Sequence, residues 1–136
     1  MPSLPGMHRP AHLPARKAEA RQREQAFDGR RGSSSERGYN HRWAKAADGH
    51  RRHHPLCVGC EAVGWVAAAE LVDHTVPHRG DTVLFWDKTN WQSSCRPHHD
   101  VVKQRLEQMW KRGVIAASEL RLDSATAKRL TLELMA

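Results

Sequence analysis

Apolar residues recur at helical spacing in the stretch that leads up to Pro55. The members, three and four positions apart, are Tyr39, Trp43, Ala46 and Ala47. They share one face of a helix, and polar residues fill the rest. Pro55 marks the end, because the residue before a proline avoids helical geometry. The pattern predicts a helix over 39–54 with Trp43 in the core.

Alternation replaces helical spacing in the next part of the chain. Over 67–76, one side of an extended strand would present Glu70, Val72 and His74, and the other Leu71, Asp73 and Thr75. A loop over 77–82 and a short apolar patch over 83–86 follow. Residues 90–94 are expected to form a second strand or an ordered loop.

Helical spacing returns after Pro97. That residue suits a first helical turn, where its missing N–H is not needed, and Gly113 suits a helix end. We predict one helix over 97–112 and another over 117–134, capped by Ser118 or Ser124. The inner face of the first helix is expected to hold Val101, Val102, Leu106 and Met109 or Trp110.

The first 37 residues contain Pro, Gly, Ser, Arg and Gln and almost no large apolar side chains. Such a composition cannot bury enough apolar surface to fold, which predicts a disordered basic arm. The chain thus divides into the arm over 1–37, a mixed helix-and-strand domain over 38–112, and a helical extension over 113–136. The expected fold class is α+β.

Charge is unevenly distributed along the chain. There are 22 Lys and Arg against 15 Asp and Glu, a formal net charge of +7. Residues 55–100 hold three basic and six acidic residues, whereas the parts before and after them are net basic. This pattern suits a carboxylate-bearing metal site between surfaces that contact a polyanion. Basic flanks that are merely solvated would give the same pattern, and charge alone leaves both interpretations open.

The length and the cysteines restrict the class of protein further. A chain of 136 residues forms one domain at most, and its thin core favours a metal or disulfide. Three cysteines cannot all pair with each other, and a Cys-x2-Cys pair without a secretory signal favours a metal site. No apolar run approaches the roughly 18 residues of a membrane span, so we expect a protein of the reducing cytoplasm.

Four residues have the spacing of a zinc-ligand set: Cys57, Cys60, Cys95 and His98. Two residues separate the members of each pair, so that two side chains can converge on one tetrahedral ion, and thiolate with imidazole suits zinc. Four protein ligands would close the site, which predicts a structural zinc. His99 competes as the fourth ligand, but neighbours on a helix point about 100° apart, and the spacing favours His98.

A second constellation consists of Asp73, His74, Asn90 and His99. Aspartate supplies a hard oxygen ligand for a divalent cation, and a neutral imidazole can take a proton from water. Asn90 could hold that imidazole or a phosphate by hydrogen bonds. A local bend in the strand would be needed to bring His74 beside the ion. An Asp-His pair is more often an ordinary surface pair, and spacing alone leaves both interpretations open.

Six motifs follow one another between residues 37 and 103. They are Gly38-Tyr39, Arg42-Trp43, Cys57-x2-Cys60, Val72-Asp73-His74-x2-Pro77-His78-Arg79-Gly80-Asp81, Phe85-Trp86-x3-Asn90 and Cys95-x2-His98-His99-Asp100. In order, spacing and residue type this segment resembles the HNH endonucleases of the ββα-metal superfamily, in particular small phage and prophage proteins. It departs from that family at His98, where a cysteine is usual.

The resemblance implies a two-stranded hairpin and a helix clamped by the zinc knuckle. It implies a metal-dependent endonuclease that hydrolyses DNA phosphodiester bonds, so that residues 38–112 would be the nuclease domain. His74 would be the general base, Asp73 and His99 would bind a catalytic Mg²⁺ or Mn²⁺, and Asn90 would be the orienting residue.

DNA would contact basic side chains of the first helix and of the loop over 77–82, which we call the motif loop: Arg42, Lys45, Arg51, Arg52 and Arg79. The family association adds phage DNA processing, with packaging proteins as candidate partners. The alternative is a zinc-ribbon module that binds DNA or serves as an adaptor without catalysis. Such a module would not need Asp73, His74, Asn90 and His99 together.

Overall fold

This computed structural model describes residues 37–136, and the arm predicted over 1–37 lies almost wholly outside that range. The architecture below is that of the compact unit His41–Ala136. Its elements are α1 (His41–His53), α2 (Val58–Ala62), β1 (Leu71–His74), α3 (Thr82–Trp86), a 3₁₀ turn (Lys88–Asn90), β2 (Trp91–Ser94), a π-helical turn (His98–Lys103), α4 (Gln104–Lys111), a second 3₁₀ turn (Ala117–Leu120) and α5 (Ala125–Met135). The prediction of mixed helices and strands is confirmed for the described residues.

Strands β1 and β2 form a two-stranded antiparallel sheet. Its register places Asp73 opposite Gln92 and His74 opposite Trp91. Of the two alternatives left open for residues 90–94, a second strand or an ordered loop, the structure has the strand. Because β2 leads through Cys95 into the helical segment that begins at His98, the sheet and that segment adjoin directly.

Helix α1 packs its single buried residue, Trp43, against the sheet and α3. The Trp43 ring lies 4.9 Å from Phe85 and 5.2 Å from Trp91, centroid to centroid, in edge-to-face arrangements. Edge-to-face rings interact favourably beyond the area that they bury. The predicted helix and the core position of Trp43 are both confirmed.

The apolar patch after the motif loop is a helix, α3, which the sequence analysis did not predict. Its five residues are too few for a periodic pattern to show. Asp81 caps its first turn by accepting hydrogen bonds from the backbone N–H groups of Val83 (2.9 Å) and Leu84 (3.2 Å). That cap was the available signal in the sequence.

The predicted helix over 97–112 exists, but its first part is a π turn that continues into α4. Val102 and Leu106, four positions apart, are fully buried, as predicted. Val101 is 44% exposed, so its assignment to the inner face was wrong. One residue along a helix turns the side chain by about 100°, which carries Val101 away from the face that Val102 and Leu106 share.

Residues 113–136 supply much of the apolar core. Gly113 adopts φ +73°, a conformation that suits glycine, as α4 ends. Four side chains of the segment then pack with Val102 and Leu106: Leu120, Leu122, Ala127 and Leu130. The single helix predicted over 117–134 is instead a 3₁₀ turn and α5. Ser124 caps α5 by accepting from the N–H of Ala127 at 3.0 Å, which confirms one of the two predicted caps.

Among residues 37–136, none of the helices has the length and apolar character that crossing a membrane requires.

We predict that Leu130→Ala lowers the free energy of unfolding by about 2–5 kcal/mol, because it removes a side chain that is 3% exposed from this core. The matched control is Leu132→Ala on the same helix, where the side chain is 54% exposed and the change should stay within about 0.5 kcal/mol. Denaturant unfolding measures both. Equal losses in the two variants would show that the core is not where the structure puts it.

Candidate metal centres

Three cysteines and one histidine converge on a buried point between α2, the end of β2 and the π turn. Cys57 precedes α2, Cys60 lies within it, Cys95 follows β2, and His98 opens the π turn. All four are buried, and their ligand atoms all lie within 4.8 Å of one another. His98, and not His99, joins the cysteines, as the x2 spacing predicted.

The distances within this group fit a tetrahedral ion. The Sγ atoms of Cys60 and Cys95 are 3.8 Å apart, and each lies 3.4 Å from Nδ1 of His98. Two sulfurs bound tetrahedrally to zinc at about 2.3 Å are themselves about 3.8 Å apart. The four residues are therefore consistent with a zinc site in both donor chemistry and spacing.

The thiols influence each other's ionisation. Burial raises the pKa of Cys60 and Cys95, and the neighbouring Cys57 sulfur raises both further. Burial also acts to raise the pKa of Cys57, but hydrogen bonds from the His98 side chain and the Cys95 and Cys60 backbones lower it to about 6. The group therefore favours one thiolate rather than three, and a divalent cation would allow all three to ionise.

The His98 ring lies directly against Gly59 of α2. A Cβ added to Gly59 would fall 2.2 Å from Cδ2 and 2.4 Å from Nε2 of that ring. Such distances are clashes, so position 59, between Cys57 and Cys60, has to be glycine for the imidazole to reach its place.

A hydrogen-bond chain from α5 sets the orientation of the same ring. Thr131 Oγ1 donates to the backbone oxygen of Ala127 at 2.8 Å, so its oxygen is left to accept from Nε2 of His98 at 3.0 Å. With its hydrogen on Nε2, the imidazole turns the lone pair of Nδ1 toward Cys60 and Cys95. A second hydrogen bond of this kind orients most metal-binding histidines.

Asp73 and His99 form the second candidate metal centre, which has two residues instead of four. Oδ1 of Asp73 and Nε2 of His99 lie 3.8 Å apart, at the junction of β1 and the π turn. Nδ1 of His99 donates to Asp100 Oδ1 at 2.9 Å, which leaves the lone pair on Nε2, toward Asp73. Two ligand atoms bound at about 2.1 Å can be up to roughly 4.2 Å apart, so the pair is close enough to share one ion.

The other carboxylate oxygen of Asp73 is already occupied. Its Oδ2 accepts from Nε2 of Gln92, directly across the sheet, at 3.1 Å, and forms an ion pair with Nζ of Lys103 at 2.9 Å. The side-chain oxygen of Gln92 in turn accepts from the N–H of Leu122 at 3.0 Å. The C-terminal segment therefore supports this pair as well as the Cys-His group.

The His74 ring packs among the aromatic rings of Trp43 and Phe85, away from the residues that contact Asp73. Its ring stacks on Trp43 at 4.8 Å and lies 5.0 Å from His78, centroid to centroid. Its Nε2 is 2.9 Å from the backbone oxygen of Phe85. The strand stays regular here, without the local bend that the sequence analysis required, so successive side chains point to opposite faces.

Asn90 acts on the backbone that follows His74. Its side-chain oxygen accepts from the N–H of Val76 and its NH₂ donates to the Val76 oxygen, both at 2.9 Å. The N–H of Thr75 donates to the Asn90 backbone oxygen at 2.7 Å. Asn90 therefore fixes the chain just after His74, whereas the sequence analysis had it hold the imidazole or a phosphate.

The five basic residues expected to meet DNA differ in their surroundings. Arg42 covers the Trp86 ring at 4.1 Å and Arg79 covers the Trp110 ring at 5.1 Å. Arg51 is held within the fold by the Glu70 backbone oxygen and by Asp48. Arg42, Lys45 and Arg52 on α1 are exposed, and so is Arg79, whereas Arg51 is half-buried. The exposed members are the ones suited to contact a phosphate backbone.

No protein-family model, curated protein or solved structure matches this chain. The chemistry of the two centres is therefore what supports a function.

Three polar residues of the centres were not singled out from the sequence: Gln92, Lys103 and Thr131. Gln92 lies within a short strand, and Thr131 lies 33 residues beyond the ring that it contacts. Lys103 follows His99 by four positions, and this spacing puts the two side chains on the same face of a helix. A lysine at such a position is ordinarily solvated, and only the packing shows that this one is not.

We predict that Gly59→Ala lowers zinc affinity at least tenfold, because the new methyl group displaces the His98 ring from the cysteines. The control is Gly49→Ala within α1, where an added Cβ meets nothing within 4 Å and should stabilise the protein by about 0.5–1 kcal/mol. Chelator competition and thermal unfolding measure the two effects. Unchanged zinc binding in Gly59→Ala would exclude this ring position.

We predict that Thr131→Val weakens zinc binding by about 10–100-fold, because the isosteric side chain cannot accept from His98. Thr131→Ser keeps the hydroxyl and should bind zinc nearly as the parent does. Chelator competition on the folded proteins measures the ratio. If valine and serine behaved alike, the hydrogen bond from α5 would have no part in holding the ligand.

Proposed function

We propose that this protein is a metal-dependent DNA endonuclease of the HNH type. The observation that carries the proposal is the Asp73–His99 pair, whose facing ligand atoms lie 3.8 Å apart. The oxygen and the nitrogen each have their orientation set by further hydrogen bonds. A small oxygen-and-nitrogen pair of this kind leaves open positions for water and a phosphate.

The arrangement around the pair supports the same proposal. A two-stranded antiparallel sheet leads into a helical segment, and the Cys-His group lies at their junction. The resemblance implies the same order for a ββα-metal domain with a zinc knuckle, and this agreement supports the proposal. We assign zinc to Cys57, Cys60, Cys95 and His98, where a closed set of four ligands serves structure rather than chemistry.

His74 is the general base in this proposal. Because the Phe85 backbone oxygen can only accept, the hydrogen lies on Nε2 and the basic lone pair on Nδ1. Burial lowers the pKa of His74, which keeps the imidazole neutral at pH 7 and able to take a proton from water. Asn90 contributes by holding the backbone of Val76, two residues further along.

A divalent ion held by Asp73 and His99 would supply charge neutralisation at the scissile phosphate. Mg²⁺ and Mn²⁺ are the candidates, since both accept carboxylate oxygen. Exposed Lys45 and Arg52 on α1, and Arg42 and Arg79 on their tryptophans, would contact the DNA backbone. Contacts of this type position DNA without selecting a sequence.

The setting proposed for this activity is phage or prophage DNA processing, with packaging proteins as partners. That part of the proposal depends on the resemblance of the motifs alone.

Two observations favour a zinc module that binds DNA without cutting it. The strand lacks the bend that would bring His74 beside an ion at Asp73, so the two side chains point to opposite faces. His74 is 5% exposed, and a general base has to meet a water molecule. In the non-catalytic alternative the ring is a packing residue between Trp43 and Phe85, and Asp73 with His99 is a structural pair. The two functions differ in whether a divalent ion supports cleavage.

Supercoiled plasmid incubated with zinc-loaded protein and Mg²⁺ or Mn²⁺ should be cut, and EDTA should stop the reaction. We predict that His74→Ala lowers the rate by about 10²–10⁴-fold, the usual contribution of a general base, with DNA binding and zinc content unchanged. The control is His53→Ala on an exposed position of α1, which should cut like the parent. If His74→Ala cut plasmid at the rate of the parent, the proposed role of His74 as general base would be wrong. If the parent cut plasmid with neither ion, the DNA-binding zinc module would be favoured.

Two neighbouring histidines separate the roles of the two centres. His99→Ala should weaken the response to added Mg²⁺ or Mn²⁺ while keeping zinc, whereas His98→Ala should lose zinc and stability first. Zinc content and a thermal melt of each variant decide the assignment. The reverse result would exchange the roles of the two residues.

A further inference from the structure

Lys103 is a fully buried lysine, with 0% of its side chain exposed. Its ammonium lies 2.9 Å from three oxygens: Oδ2 of Asp73, Oε2 of Glu107 and the backbone oxygen of His74. It donates hydrogen bonds to the His74 oxygen and to Glu107, and it forms an ion pair with Asp73. The proposed nuclease mechanism does not use this group.

The three oxygens around Lys103 are the kind that a hard metal ion takes. Carboxylate and carbonyl oxygens bind Ca²⁺, Mg²⁺ and Mn²⁺. They surround the ammonium at 2.9 Å, and a movement of under about 1 Å each would bring them to the 2.1–2.6 Å of metal ligation. Asp73 belongs both to this set and to the pair with His99, so a metal ion here would be the second of two ions on one carboxylate.

We propose that Lys103 is a built-in cation that takes the position of a second metal ion beside Asp73. This inference rests on the proposed divalent ion at Asp73 and His99. The ammonium offsets one of the two negative charges of Asp73 and Glu107, and it limits the site to a single exchangeable ion.

The same contact makes Lys103 a positioning residue for Asp73. With Gln92 it takes Oδ2 of that carboxylate, by contacts of 2.9 and 3.1 Å. Oδ2 therefore has one hydrogen bond and one ion pair. The carboxylate is thereby turned so that Oδ1 alone faces His99.

The position can be reached from solvent once the lysine is shortened. The Glu107 side chain is 21% exposed and Asp73 10% exposed. A cation that entered beside them would find two carboxylates, one carbonyl and room for water. Lys103→Ala leaves this space open, whereas Lys103→Met removes the charge but fills the space with an apolar stem of similar length.

The experiment titrates Mn²⁺ into full-length, zinc-loaded parent, Lys103→Ala and Lys103→Met, with free Mn²⁺ followed by electron paramagnetic resonance. We expect one Mn²⁺ per parent chain, two per Lys103→Ala chain and at most one per Lys103→Met chain. Both variants should melt at lower temperature than the parent without divalent ions, and Mn²⁺ should restore only Lys103→Ala.

If Lys103→Ala does not fold without divalent ions, refolding with Mn²⁺ is the same test. Recovery of Lys103→Ala but not of Lys103→Met supports the inference. Failure of Lys103→Ala to gain a Mn²⁺ site, or to respond to Mn²⁺ more than Lys103→Met does, overturns it.

The parent's own result separates this inference from the nuclease proposal. Suppose that the parent binds one Mn²⁺ and cuts DNA, while Lys103→Ala gains no further ion. The nuclease proposal would then stand, and the role proposed for Lys103 would be wrong. If instead the parent binds no Mn²⁺ and Lys103→Ala gains one, the position of Lys103 would be a cation site as proposed. The ion proposed at Asp73 and His99 would then be wrong.

Discussion

The convergence of three sulfurs and one imidazole nitrogen is the constraint on which the rest of the structure depends. It joins α2, the end of β2 and the π turn at one buried point, although 41 positions of the chain separate Cys57 from His98. The sheet has two strands of four residues each, which is too little to be stable alone. The direction in which the helical segment leaves the sheet is therefore set where these four donors meet.

That direction also separates the two adjacent histidines. His98 turns inward to the cysteines and to Thr131, while His99 turns toward Asp73. One structural centre thus positions a residue of the other, because the two ligands are consecutive in one turn. Any ion at Asp73 and His99 depends on the geometry that the Cys-His group imposes, which is a physical reason for the two centres to occur together.

Charge burial is the second organising feature, and the C-terminal segment makes it possible. Lys103, Asp73 and Gln92 form a continuous polar network within an otherwise apolar region, and Leu122 completes it through its backbone N–H. A buried ammonium is stable only with such partners. Residues 113–136 thus close the core over Val102 and Leu106 and at the same time complete the hydrogen bonding of both centres.

The sequence by itself determined the features that depend on spacing along the chain. The x2 pairs predicted which four residues meet, and the angle of about 100° between neighbours on a helix separated His98 from His99. The 3.6-residue period placed Trp43, Val102 and Leu106 in the core. These are local matters, because neighbouring residues on one element have a relative orientation that the element itself imposes.

Only the tertiary structure decided which distant side chains meet. Nothing in the local pattern distinguishes Lys103 from a solvated lysine, links Thr131 to a ring 33 positions earlier, or joins Gln92 to Leu122. The helix α3 was missed because its five residues show no period, and Val101 was misplaced because one position along a helix changes the face. Long-range contacts depend on how elements pack, and packing is a property of the whole chain rather than of any segment's own periodicity.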